Sequence, residues 1–154
     1  MLLSMIRKLI APLVFLATPL AAEDLSVIDR WQEDPTQVFE ASEITLDDLQ
    51  WVLRPVVVFA NSPLDPLFKQ QLELFERDVE RLAERDIILI TDTNPNDPSD
   101  LRTKLRPRAF MMVLIGKDGR TKLRKPAPWD VRELSRTIDK MPLRQQEIED
   151  RRDP

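Results

Sequence analysis

Two short, unbroken apolar runs constrain this chain more than any other feature: Pro55-Val-Val-Val-Phe-Ala60 and Ile87-Ile-Leu-Ile-Thr91. Runs of this length, rich in β-branched residues and lacking polar alternation, mark strands buried on both faces, as in parallel sheets. Between them Leu64, Leu67, Phe68, Leu72, Phe75, Val79 and Leu82 recur at spacings of three and four, one apolar face of a helix. Ser62 reads as its N-cap, Pro63 as the first helical position and Asp65 as the partner in a capping-box-like pattern. Strand, helix and strand then form a crossover unit with parallel strands, and the rest of the chain must be placed around it.

Downstream, a turn-rich loop from Asp92 to Pro98 leads into a short helix entered by Asp97-Pro98-Ser99-Asp100. Ala109 to Ile115 reads as a third strand, and Gly116-Lys-Asp-Gly119 as a hairpin turn into a fourth near Thr121 to Arg124. After Pro126 and Pro128, Val131, Leu134, Ile138 and Met141 line one face of a last helix from about Trp129 to Lys140, which Pro142 stops. The order β-α-β-α-β-β-α predicts an α/β, thioredoxin-like domain: a mixed four-stranded sheet flanked by helices on both faces. The segments divide as a leader over 1–22, an acidic amino-terminal arm over 23–50, the thioredoxin-like domain over 51–142 and a charged tail over 143–154. Within the arm, Leu46 to Val52 suits a helical turn capped by Thr45.

The leader has the layout of a secretory signal peptide. Arg7 and Lys8 precede an apolar stretch from Leu9 to Leu20, and Ala21 and Ala22 supply small residues for cleavage after Ala22. Twelve apolar residues interrupted by Pro12 and Pro19 are too few to span a bilayer. The expected localisation is periplasmic or secreted, with no membrane attachment after cleavage. Loss of Arg7 and Lys8 leaves 21 basic against 27 acidic residues, a net charge of −6. Cysteine is absent, so the fold receives no disulfide support. Charge is also uneven along the chain. Glu23 to Gln50 holds nine acidic residues against Arg30, whereas Arg102 to Lys125 holds nine basic residues against Asp118. This asymmetry fits an anionic partner, or two segments that face each other or are simply solvated.

Four segments carry a resemblance: Trp51-x-x-Arg54-Pro55-Val-Val-Val-Phe59-Ala60, Leu82-Ala-Glu-Arg-Asp86, Leu114-Ile-Gly-Lys-Asp-Gly119 with Lys122-Leu123, and Ile138-Asp-x-Met-Pro142 with Arg144-Gln145. Together they resemble an uncharacterised bacterial family of exported, thioredoxin-like (peroxiredoxin-like) proteins without assigned activity. They also resemble a peroxiredoxin-like domain of vertebrate extracellular proteins that carry sushi repeats. The resemblance spans roughly Gln50 to Glu147 and implies a fold, not a reaction. It also marks a departure. The thiols of working thioredoxins belong at the turn after the first strand, where this chain reads Asn61-Ser62-Pro63-Leu64. With no cysteine there is no thiolate, which excludes disulfide exchange and cysteine-based peroxide reduction.

Other chemistry meets similar obstacles. A Ser-His-Asp triad fails because the chain has no histidine, and Ser62 is accounted for as a cap. Zinc and copper sites want His or Cys. Asp92-x-Asn94-x-Asn96-Asp97 begins like a calcium loop but has Asp97 in place of the turn glycine and Thr103 in place of the bidentate Glu. No metal, cofactor or catalytic residue is therefore assigned. Nucleic acid is excluded as a partner by the negative charge and the scarcity of aromatic platforms in the basic run. The best-motivated site is an anion pocket. Asn61 and Ser62 would lie at the positive end of the first long helix, with Arg106 and Arg108 before the third strand opposite, and Arg54 just before the first strand. Two readings follow: a non-catalytic binding or interaction module for an unknown protein or small anionic ligand, or a non-thiol enzyme using carboxylates or arginines near that helix start.

Overall fold

A computed structural model describes residues 25–152; the leader lies outside the described residues. The chain builds α1 (Val27–Glu33), β1 (Val38–Glu40), a 3-10 turn at Ala41–Glu43, α2 (Leu46–Leu49), β2 (Arg54–Phe59), α3 (Pro66–Arg77), α4 (Val79–Ala83), β3 (Ile87–Asp92), α5 (Asp100–Leu105), β4 (Met111–Ile115), β5 (Thr121–Lys125), α6 (Val131–Asp139) and α7 (Pro142–Asp150). One mixed sheet runs in the order β1-β3-β2-β4-β5. The crossover unit is present as read, with β2 and β3 parallel and Arg54 opposite Ile87. The hairpin is present as well, with β4 antiparallel to β2 and to β5.

Every residue of β2 and β3 is buried, because helices cover both faces. Side chains alternate between two cores, as the pleat requires. Val56, Val58, Leu89, Met112 and Leu114 pack under Phe68, Phe75, Leu82, Leu134 and Ile138. Val57, Phe59, Ile88, Ile90 and Val113 pack with Phe39, Leu49, Leu101 and Leu105. Each such side chain contributes roughly 1.5–3 kcal/mol on burial, and this replaces the missing cross-links.

Four departures from the sequence reading have physical reasons. The sheet has five strands rather than four. β1 joins β3 in parallel at the edge, and with three residues, of which only Phe39 is buried, it is too short to show a period. The acidic segment read as an arm is folded onto the second core: Ser26 caps α1, and Trp31 Nε1 donates to the Ile87 carbonyl at 2.9 Å. Asp65, not Ser62, is the N-cap of α3, its carboxylate accepting from the Leu67 and Phe68 N–H groups. Pro66 decides this: the residue before a proline is driven out of helical geometry, and Asp65 at ψ 125° is extended. Pro66 then occupies the first helical position, where no N–H is needed. Ser62 instead closes a turn by accepting from the Leu64 N–H, and Leu64 itself is exposed. Pro142 ends α6 only to open α7, so the charged tail begins as a helix.

Candidate functional site

At the carboxyl end of β2, where the helix-start pocket was expected, polar groups are satisfied within the chain. Arg102 is buried, with Nε donating to Asp92 Oδ1 at 2.9 Å and Nη2 to the Ala60 and Asp92 carbonyls at 2.8 and 2.9 Å. Ser99 Oγ donates to the other Asp92 oxygen. Asp92, a would-be calcium ligand, is therefore spent on tying β3 to α5 and to the end of β2. Among the described residues no cluster of acidic side chains is arranged to hold a metal ion. The register Phe59 opposite Met111 brings Asn61 and Ser62 to the same end as Arg108. Arg106 caps α5 in the left-handed region at φ 48°. Both arginines are exposed, and the first N–H groups of α3 already serve Asp65.

Arg54 does not join them. It begins β2 and so lies at the opposite, amino end of the sheet, 1% exposed. Its Nη1 donates to the Arg85 carbonyl at 2.9 Å and its Nη2 to Glu147 Oε1 at 2.9 Å. Lys117 Nζ reaches the same Glu147 oxygen at 3.0 Å and Asp86 Oδ2 at 2.8 Å, while Arg144 Nη1 donates to Glu147 Oε2 at 3.2 Å. Three cations thus converge on one carboxylate. Burial alone would raise the Glu147 pKa, but hydrogen bonds from Arg54 and Lys117, with the charge of Arg54, outweigh it and lower the value to about 2. Arg85 is held by Asp139 through two hydrogen bonds, and the neighbouring Arg144 keeps a buried Nε that makes no hydrogen bond, 3.6 Å from Asp139 Oδ1.

Two of the four described non-glycine residues at positive φ lie at this end; the other two, Arg106 and Ala109, both at φ 48°, lie at the carboxyl end. Trp51 sits at φ 66° and Asp86 at φ 53°, left-handed conformations that cost a non-glycine residue roughly 1–2 kcal/mol. Trp51 is held there by its N–H donating to the Lys117 carbonyl at 2.7 Å, and Asp86 by its carbonyl accepting from the Arg54 N–H at 2.7 Å. Trp51 is 64% exposed. It lines a cavity of about 410 Å³ with Arg54, Lys117, Lys122, Met141, Pro142 and Leu143. Gly116 also lines it; a Cβ there would meet Lys122 Cε at 2.5 Å and Asp118 Oδ1 at 2.6 Å, so the ends of those two side chains would have to shift. Gly119 closes the turn at φ 76°. Asp118 accepts from Lys122 Nζ at 2.7 Å, a bond that holds its carboxyl below the ordinary range.

Of the residues proposed from sequence, only Arg54 belongs to this second site; Trp51, Asp86, Lys117, Arg144 and Glu147 were not proposed. One signal did mark most of them. The four segments that carry the family resemblance contribute Trp51 and Arg54, Asp86, Gly116 with Lys117, and Met141 with Arg144, and the fold brings them to one end of the sheet. The structure does not group them with Asn61, Ser62, Arg106 and Arg108.

Sheet order, crossover and hairpin define a thioredoxin-like domain without thiols. The chain belongs to the family described as domain of unknown function DUF4174, whose model matches residues 45–147. Solved structures agree on the fold. The domain is similar to a chloroplastic thioredoxin z, with a TM-score of 0.50 and 19% identity over 67% of this chain and 95% of that one. It is also similar to the reduced 2-Cys peroxiredoxin of Plasmodium vivax, with a TM-score of 0.50 and 14% identity over 62% and 81% of the two chains. At such identities the likeness concerns fold alone. No curated protein sequence matches the chain.

Proposed function

We propose that this protein is an exported, non-catalytic binding module that has kept the thioredoxin-like fold and moved its working surface to the amino end of the central strand. The observation that carries the reading is Trp51: a bulky aromatic residue held in a left-handed conformation, with its indole exposed above a cavity. Strain of this kind persists only where surrounding structure enforces it, and it clusters at ligand-binding positions. Aromatic side chains that keep an apolar face in water are frequent anchors for ligands and partners. Export is supported by the signal-peptide layout of residues 1–22.

The test is a thermal-shift screen of the mature chain against a small-molecule collection, repeated with Trp51→Ala. Ligands whose stabilisation and Trp fluorescence change vanish in the variant support the reading. Ligands that stabilise both proteins equally would sink it. Mass spectrometry of the exported protein checks the other half, with an amino terminus at Glu23 expected.

A further inference from the structure

We infer that the amino-end cavity is a receptor for an anionic amphiphile, a single carboxylate or phosphate head on an apolar chain, and that Glu147 is the protein's own stand-in for that head. The inference rests on the Trp51 binding reading and specifies its ligand. The cavity is lined by apolar Trp51, Met141, Pro142 and Leu143, by the largely buried cations Arg54 and Lys117, and by the mutually paired Lys122 and Asp118. These two cations do not face an empty space. Each already donates to Glu147 Oε1, at 2.9 and 3.0 Å, and Arg144 takes the other oxygen at 3.2 Å. A carboxylate held by three cations is an anion site with its occupant in place, and the occupant belongs to the chain itself.

What carries Glu147 is suited to let go. In α7 the aliphatic side chains are Leu143 and Ile148; neither is buried, and the helix buries only Arg144. Its attachments are polar: Glu147 to Arg54 and Lys117, Arg144 toward Asp139, the Gln145 amide to the Asp139 carbonyl, and Arg151 near Asp86 Oδ2 at 3.8 Å. Met141 has no side-chain cap to offer the helix start. Pro142 and Leu143 belong both to the cavity wall and to the first turn of α7, so a chain entering the cavity presses on the element that holds Glu147. A competing head group would take over Arg54 and Lys117 and release α7. Charge complementarity selects an anion here, because displacing Glu147 with a neutral or cationic head would cost the buried Arg54 guanidinium its nearest carboxylate, leaving Asp86 Oδ2 at 3.8 Å.

Decanoate, decyl phosphate, decanol and decyltrimethylammonium are the probes, titrated below their micelle-forming concentrations against the mature protein by Trp fluorescence. One or both anions should bind, and their relative affinities separate a fatty carboxylate from a phosphate-headed lipid. Decanol and the cation should bind at least about tenfold more weakly. Glu147→Gln removes the competing charge and should tighten anion binding about tenfold, as expected when a closed state no longer competes. Lys117→Met should abolish that gain. Hydrogen exchange of the wild-type protein gives a readout independent of any variant: amides of 143–150 should exchange faster with decanoate bound. Equal binding of decanol and decanoate would overturn the inference while leaving the Trp51 cavity as a binding site. So would a Glu147→Gln protein that binds anions no tighter than wild type, or unchanged exchange in α7 at saturation. Failure of all four probes overturns it too, and the wider screen with Trp51→Ala then decides the binding reading separately.

Discussion

The two ends of the central strand β2 each bury an arginine against a carboxylate, yet they are built for different purposes. At the carboxyl end Arg102 on α5 and Asp92 at the end of β3 lie ten residues apart in sequence, three hydrogen bonds hold the guanidinium, and Arg106 and Ala109 nearby are left-handed. At the amino end Arg54 and Glu147 come from elements far apart in sequence, a donor on Arg144 is left over, and Trp51 and Asp86 are strained. The first arrangement closes a sheet end; the second maintains a cavity beside it.

The largest effect expected from breaking this comparison is at Arg102. Arg102→Ala strands a buried carboxylate and should lower stability by about 3–5 kcal/mol, read from urea midpoints, without changing ligand binding at Trp51. Glu147→Gln should cost about 3 kcal/mol at neutral pH, since the folded carboxyl titrates near 2 against an ordinary 4.5. The sign follows from a depressed pKa: the contribution is full above pH 4.5 and disappears as pH falls toward 2. The stability difference between wild type and Glu147→Gln should therefore shrink over that window. A difference independent of pH would remove the charge network from the account.

Smaller effects sharpen the contrast. Asp65→Ala should cost about 1 kcal/mol by uncapping α3, whereas Ser62→Ala should cost less than that, because Ser62 serves only a turn. Trp51→Gly should be more stable than Trp51→Ala by about 1 kcal/mol, since only glycine relieves the left-handed strain; neither should bind ligand. Asn61→Ala and Arg108→Ala should stay within about 0.5 kcal/mol of wild type and leave binding at Trp51 intact. A loss of binding in either would return the working surface to the carboxyl end.

The buried strands β2 and β3, the hairpin at Gly116 and the apolar face of α6 were legible because each is a local pattern whose period or turn residues survive in a single segment. β1 was not, since three residues of an edge strand acquire meaning only beside β3. The start of α3 was misplaced by three residues because two prolines compete for the first helical position, and only the conformation forced on Asp65 separates them. Arg54 was grouped with Ser62 because sequence proximity hides that a six-residue strand carries its ends to opposite edges of the domain.

By itself the sequence determined the α/β class, the parallel crossover and the exclusion of thiol chemistry, because these depend on hydrophobic period and on which functional groups exist. Tertiary structure decided which charges meet. Glu147, Lys117 and Arg54 lie in three separate segments, and no local pattern records that their charges meet. Their pairing, and the strain that turns Trp51 outward, arise only when β2, the hairpin turn and α7 close around one point.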